Sequence, residues 1–403
     1  MSAPQPSTVE PRAVISVWGR FHAFDLAREL QRHGALSTLI TSYPRFVPPQ
    51  YGVESARIHS RVVGEILTRA CRRLPRIRRA FGVDRVAKKL FERAAAKVVR
   101  GSDGDVFVGW SDSSLAAIRV AKKRGMVTVL ERCSTHIVDQ TKILLDEYAS
   151  FGLAFNETPG ESIEQELREY EEADYIAVPS RFVQGTFLAR GFPPERLLLT
   201  PFGADVAAFR PAPVSHRPFR IIQVGGVSVR KGFRYVAEAF RLAAIPDSEL
   251  WFVGGVTDHA RRYFDDWRDP RIMLHGHVPQ SRLPEFYNQC DVACLGSVEE
   301  GMAYVLIQGA ACGLPLVCTE NTGGREIVGE NECGMVVAPR DAPALAEAFR
   351  KLYEDADLRV AMGRRARTRA EAEFSWVHYA DRALTHYRRI TGRGGEPLPV
   401  VDE

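Results

Sequence analysis

The chain has 403 residues, 45% of them apolar and 26% charged, with a formal net charge of +4. That length exceeds a single core and suits two domains of roughly 200 residues, and the composition is that of an ordinary globular protein. No run reaches the ~18 apolar residues of a membrane span, and the opening MSAPQPSTVEPRA lacks a signal-peptide pattern and reads as a short disordered tail.

Strand and helix patterns alternate almost throughout. AVISVW (13–18) is a short apolar strand, FHAFDLARELQRHG (21–34) an amphipathic helix ended by Gly34, and LSTLITSYP a second strand. Between Arg57 and Arg100 stand 14 Lys and Arg against three acids, with Leu74, Ile77, Phe81, Val86, Leu90 and Phe91 interleaved. This segment reads as a solvated helix face or as a surface for an anionic bilayer; no nucleic-acid-binding motif accompanies it. DGD (103–105) is a solvated turn rather than a metal motif, because it precedes strand VFVGW at the end away from the expected cleft. VTVLER and YIAVPS are further buried strands, and the acids of EQELREYEEAD (164–174) read as an exposed helix face.

The segment 198–220 holds four prolines and a Gly, and neither helical nor strand period survives across it. A second alternating series follows: RIIQVGGV, the helix KGFRYVAEAFRLA, ELWFVGGV, RIMLHGHV, VACLGS, a helix over 303–312 and LPLVCT. Near-continuous apolar strands alternating with helices indicate parallel sheets covered on both faces. The fold class is therefore α/β, with two Rossmann-like doubly wound parallel-sheet domains facing a central cleft. The expected domains are residues 1–202, joined by a C-terminal helix over 377–403, and residues 203–376. Within that last stretch GRGGEPLPVVDE reads as disordered. Ligands bind at the carboxyl ends of such strands. Seven cysteines make an odd count, and none of the close pairs has CxxC spacing, so they read as reduced residues of a cytosolic protein.

Two turns carry chemistry. In VGGVSVRKGF, Gly225 and Gly226 leave a strand while Arg230 and Lys231 stand before a helix, which is an anion site suited to phosphate. Neither GxxxxGK[ST] nor GxGxxG is present. In EEGMAYVLIQGAACG, a helix beginning near Ala303 would aim the amides of Gly301, Met302 and Ala303 at the cleft beside Glu300. Gln308, eight positions on, would share that side with Tyr304 between them, and a polar group in an apolar run calls for a ligand or a network partner. Taken alone, the Glu is equally a helix cap and the Lys equally a surface residue of a tight turn.

EGMAYVLIQ, ACGLPLV and NTGG resemble the retaining glycosyltransferases of family 4, which have the GT-B fold. VGGVSVRKG, HGHVPQSRLPEFYNQCDV and FSW extend the resemblance over the second domain, and EEADYIAVPSRF and PFGADVAAF carry it into the first. The resemblance implies a metal-independent transfer of a sugar from a nucleotide-diphosphate donor to a hydroxyl acceptor, with no cofactor. It implies Lys231, aided by Arg230, at the donor diphosphate and Glu300 near the transferred sugar. Gln308 would stand at the ribose, His277 and Val278 at the base, and Gly19, in the loop WGRFH, at the diphosphate from the other domain. Gly225, Gly226, Gly301, Met302, Ala303 and Val305 complete the expected donor site, and His136 in ERCSTHIVDQ resembles the first-domain histidine near the donor sugar. The chain departs from the family pattern in Gly226, where Arg is common, and in Gln308, where the family has Glu. Two other functions stay open: epimerisation of a nucleotide sugar on the same fold, and nucleotide-sugar binding without turnover. A cytoplasmic enzyme, docked peripherally on the membrane where its acceptor is lipid-linked, is the expected setting.

Overall fold

The computed structural model describes residues 10–71, 82–155, 158–212, 218–266 and 268–393. Leu74, Ile77, Phe81 and the terminal residues 1–9 and 394–403 lie outside them, so the expectations of disorder there and of a single apolar helix face over 57–100 are not addressed.

Two parallel sheets form the frame. The first runs in the order β3-β2-β1-β4-β5-β6-β7, with β1 (Ala13–Val17), β2 (Leu36–Thr41), β3 (Ile58–Ser60), β4 (Val106–Trp110), β5 (Val127–Glu131), β6 (Tyr175–Val178) and β7 (Leu197–Leu199). The second runs β10-β9-β8-β11-β12-β13, with β8 (Phe219–Val224), β9 (Ser248–Val253), β10 (Ile272–Gly276), β11 (Val292–Leu295), β12 (Leu316–Thr319) and β13 (Gly334–Val337). All pairings within these sheets are parallel. The strand β1 is fully buried because helices cover both faces, which is why its sequence runs apolar without alternation.

Three strands escaped the sequence reading. The edge strands β3, β7 and β13 are three or four residues long, too short to show a period. β7 includes Leu198 and Leu199, so the structureless stretch between the domains begins at Thr200 rather than at residue 198. There the linker runs beside the return crossing of the chain: Ala204 bridges Ser375, and the Arg382 guanidinium donates to the Pro201 carbonyl. The helix Trp376–Thr391 opens with a Ser375–His378 capping box and packs on the helix Ala23–Arg32 of the first sheet. Its Arg388 pairs with Glu10, so the amino-terminal stretch is anchored from that residue onward rather than free.

The acidic helix Gly160–Glu172 corrects the expectation of an exposed face. Glu166 and Glu169 are buried. Glu169 accepts hydrogen bonds from the amides of Asp112, Ser114 and Leu115 at 2.6, 2.7 and 3.1 Å, so it caps the helix Leu115–Lys123 from a distance in sequence. Glu166 meets Arg132 at 3.0 Å and the Tyr170 hydroxyl at 2.6 Å. A run of acids looks solvated in sequence because the Arg132 guanidinium and the amides of Asp112, Ser114 and Leu115 that hold it lie over 30 residues away.

Glu169→Gln should lower the melting temperature, since the amide replaces one accepting oxygen and strands a buried amide donor at a cost of about 1–3 kcal/mol. Thermal denaturation against wild type measures it, and an unchanged midpoint contradicts the capping role.

Candidate active site

The carboxyl ends of β8 and β11 deliver two loops that fold against each other. Gly232 has φ +63°, and a side chain there would meet the Gly296 carbonyl at 1.8 Å, so only glycine permits the approach. Lys231 lies beside Gly225, whose own Cβ would stand 3.8 Å from the lysine Cε, and its ammonium contacts the Glu300 carboxylate. Arg230 Nη2 lies 3.7 Å from Glu300 Oε1. Burial alone would raise the Glu300 pKa, but the charges of Lys231 and Arg230 outweigh it and hold the carboxyl below its usual range. Glu300 is thus ionised at neutral pH.

The helix after Glu300 starts at Tyr304, one residue later than expected, with Ala303 as its N-cap. The Ala303 amide donates to the Thr322 carbonyl at 3.1 Å and so does not face the cleft as expected. Its neighbour Met302 is buried, with Sδ 3.2 Å from the Phe202 amide, which ties this turn to the linker. Gln308 is 5% exposed, and its Oε1 has no hydrogen-bond partner. A buried amide oxygen left unpaired is costly, and on this helix it fits a ligand hydroxyl. Tyr304, between Glu300 and Gln308 in sequence, is part-exposed against Phe202 and Trp376. The Val305 carbonyl accepts from the Tyr287 hydroxyl at 2.8 Å. Gly226 is exposed, as is His277 just past β10, while Val278 is half-buried against the core.

The first domain closes over this site. Gly301 could not carry a side chain, because its Cβ would meet the Cys133 carbonyl at 1.8 Å, and its own carbonyl accepts from Ser180 Oγ at 2.7 Å. Gly19 holds φ +93° at the end of β1, its amide donating to Ser42 Oγ at 2.9 Å. Farther out, Glu147 accepts from the Tyr235 hydroxyl at 2.8 Å and pairs with Arg340 at 2.5 Å, and Phe151 packs 5.9 Å from Phe233.

His136 departs from its expected role. It is 2% exposed, its Nδ1 accepts from the Val138 amide at 3.3 Å as the N-cap of the helix Ile137–Ser150, and its ring is enclosed by Tyr170, Phe187 and Phe192. Burial, with the Arg190 charge, pushes its pKa down to about 4. Such a ring is a buried, neutral helix cap inside the first domain.

Sequence reasoning passed over Glu299, Ser134, Thr135 and Gln140, which meet between the domains, and His22. His22 is 2% exposed among Trp110, Phe202 and Trp376, with neither ring nitrogen hydrogen-bonded and Nε2 3.6 Å from Glu131. The doubled acid at 299–300 is the available signal, and the family resemblance bears only on its second member. Among the described residues no cluster of His, Cys, Asp and Glu has the arrangement of a metal site. The DGD turn holds Asp103 at the surface, while Asp105 accepts from the Arg12 amide. All seven cysteines are free, five of them buried.

Because His136 is neutral when folded and protonates near 6.5 when unfolded, its contribution to stability is full above pH 6.5 and falls away as the pH drops toward about 4. The gap in melting temperature between wild type and His136→Asn should narrow across that window. A gap that stays constant from pH 7.5 to about 4.5 would contradict the buried neutral cap.

Residues 218–355 match the family model described as glycosyl transferases group 1. The amylovoran biosynthesis glycosyltransferase AmsK of Erwinia amylovora is 27% identical over 231 residues, 54% of this chain and 56% of that protein. The D-inositol 3-phosphate glycosyltransferase of Pseudarthrobacter chlorophenolicus is 27% identical over 226 residues, 51% of this chain and 54% of that protein. The chain thus spans about half the length of the curated relatives it matches. Among solved structures, sucrose-phosphate synthase of Thermosynechococcus elongatus superposes with a TM-score of 0.70 at 18% identity over 96% of this chain and 100% of its own. HepE of Anabaena in complex with UDP superposes with a TM-score of 0.68 at 14% identity over 94% of this chain and 100% of its own. Residues 218–355 are thus similar to the glycosyl transferases group 1, and the two domains together have the GT-B fold.

Proposed function

We propose that this protein is a retaining, metal-independent glycosyltransferase that moves a sugar from a nucleoside-diphosphate donor to a hydroxyl acceptor. The observation that carries the reading is the meeting of Lys231, Arg230 and Glu300 in the interdomain cleft, before a helix that bears an unpaired, buried Gln308 oxygen. The named activities of the relatives and the UDP bound by HepE lend it support.

The donor diphosphate is taken up by exchange. Lys231 turns from the Glu300 carboxylate to the phosphate, and Glu300 is freed to accept a sugar hydroxyl. As the glycosidic bond breaks, negative charge gathers on the departing phosphate, where the cations of Lys231 and Arg230 stabilise it most. Gln308 offers both a donor and an acceptor to the ribose hydroxyls. In this reading the acceptor attacks from the side of the leaving phosphate, which takes its proton, so the anomeric configuration is kept.

The acceptor side is read as a membrane surface. On the helix Val83–Gly101 the exposed residues Arg85, Lys89 and Arg93 alternate with Val86 (46% exposed) and Leu90 (40% exposed). Val63 and Ile66 are exposed on the neighbouring helix Val63–Ala70, with Arg69. Phe91, by contrast, is buried in the core. Apolar side chains set among cations suit an anionic bilayer, each Lys or Arg adding about 1 kcal/mol near the surface. No helix among the described residues is long and apolar enough to cross a membrane.

A panel of nucleotide sugars with excess EDTA tests the reaction. Release of free nucleotide is expected, an isomerised sugar would indicate an epimerase, and neither product would indicate a binding protein. Lys231→Ala should cut turnover about 100-fold or more, since a preorganised charge at a developing oxyanion is worth about 3 kcal/mol; full activity in that variant overturns the diphosphate assignment. In vesicle sedimentation the protein should pellet with anionic but not neutral vesicles and be released by salt, whereas no pelleting at low salt overturns the docking surface.

A further inference from the structure

Glu299 is a buried acid at the domain boundary that the proposed reaction does not use. Its side chain has 0% exposure. One oxygen, Oε1, accepts from Ser134 Oγ at 2.8 Å, from the Thr135 amide at 3.2 Å and from Thr135 Oγ1 at 2.8 Å. The other, Oε2, meets Arg230 Nη2 at 2.9 Å and Gln140 Nε2 at 3.4 Å. Ser134, Thr135 and Gln140 all belong to the first domain; Arg230 and Glu299 belong to the second. Arg230 is held from both sides, donating to the Glu299 carbonyl at 3.1 Å and to Ser134 Oγ at 3.0 Å. Behind Gln140, Arg132 continues the network, bonding Gln140 Oε1 at 2.6 Å and pairing with Glu166 at 3.0 Å.

We infer that Glu299 is a positioning residue that latches the two domains over the donor site and sets Arg230 in place as they close. The inference rests on the transferase reading for its consequence in turnover, but not for the latch itself. An ionised carboxylate without water is stable only when its donors are in place. Four of the five contacts that satisfy Glu299 come from the opposite domain, so separating the domains by the width of a water molecule removes most of them at once. Closure is therefore two-state at this point: either the Cys133–Thr135 loop is seated and Glu299 is satisfied, or the cleft is open and Glu299 is hydrated. Arg230 follows the same choice, because Glu299 and Ser134 fix the guanidinium beside Glu300. The family resemblance gives a role to Glu300 and is silent on the residue before it. Two adjacent acids thus divide the work, Glu300 facing the donor cation Lys231 and Glu299 facing the other domain.

The test is a double-mutant cycle across the boundary in the full-length protein, with Glu299→Gln, Ser134→Ala and the pair. With the donor found in the nucleotide-sugar panel, each single variant should lower kcat about tenfold, and the double variant should be no slower than Glu299→Gln by more than about twofold, because both remove one coupled unit. Losses that multiply, or a wild-type kcat in Glu299→Gln with only a lowered melting temperature, overturn the latch. Small-angle X-ray scattering of the unliganded proteins supplies the readout that does not depend on the reaction. Both single variants should show a larger radius of gyration than wild type, and values equal to wild type overturn the inference. A panel without turnover would overturn the transferase reading while leaving the scattering comparison decisive for the latch.

Discussion

A charged carboxylate sealed from water has to be answered by donors inside the protein, and Glu299 finds most of its donors on the far side of a domain boundary. The rest of the cleft is arranged around that contact. With the Cys133–Thr135 loop seated, the Gly301 backbone touches the Cys133 carbonyl so closely that no side chain fits between them. Arg230 is drawn between Glu299, Ser134 and Glu300, and Lys231 is left facing Glu300. Two anions and two cations share a small space, with Arg230 between the two acids and Lys231 on Glu300 alone. Under the proposed function, a phosphate entering beside Lys231 would replace one anion with another and leave the Glu299 contacts undisturbed.

The backbone makes this density possible. The turn after β8 crosses the turn after β11 at Gly232 and Gly296, where a Cβ on Gly232 would collide with the Gly296 carbonyl oxygen and one on Gly296 with the Val236 side chain. The Val298 amide then donates to the Arg230 carbonyl at 2.9 Å, which fixes the spacing of the cationic and acidic turns. Bringing two main chains this close removes the conformational freedom that would otherwise blur the positions of Lys231 and Glu300, and preorganised charge of this kind is what stabilises a developing anion. On the helix that follows, Gln308 is an exception to the apolar rule of the core, a buried amide whose Oε1 has no hydrogen-bond partner.

The first domain contributes stiffness more than chemistry. Glu169 and Glu166 lie inside it, one capping a helix and the other holding Arg132, and Arg132 in turn positions Gln140 and the Thr135 carbonyl. His136 caps the next helix from within an aromatic cage. The boundary loop is therefore rooted in a buried polar network and cannot shift without disturbing it. At the other end of the same helix, Glu147 repeats the pattern, a buried acid answered by Tyr235 and Arg340 across the boundary.

The sequence alone determined the alternation of apolar strands with helices in two α/β halves, and it singled out the glycine turn at Lys231 and the acid at Glu300, which the structure brings into contact. These are legible because apolar strands, glycine turns and helix starts are set by neighbours within a few residues. It misjudged Glu166 and Glu169, which look like any solvated acids until the strands that bring Arg132 and Ser114 beside them are in register. It gave His136 a place at the sugar, whereas the packing of Tyr170, Phe187 and Phe192 turns the ring inward. It had no means to separate Glu299 from Glu300, since adjacent acids differ only in direction, and the direction is set by a loop 164 residues away. Contacts of that range depend on how the two sheets face each other, and only the tertiary structure decides it.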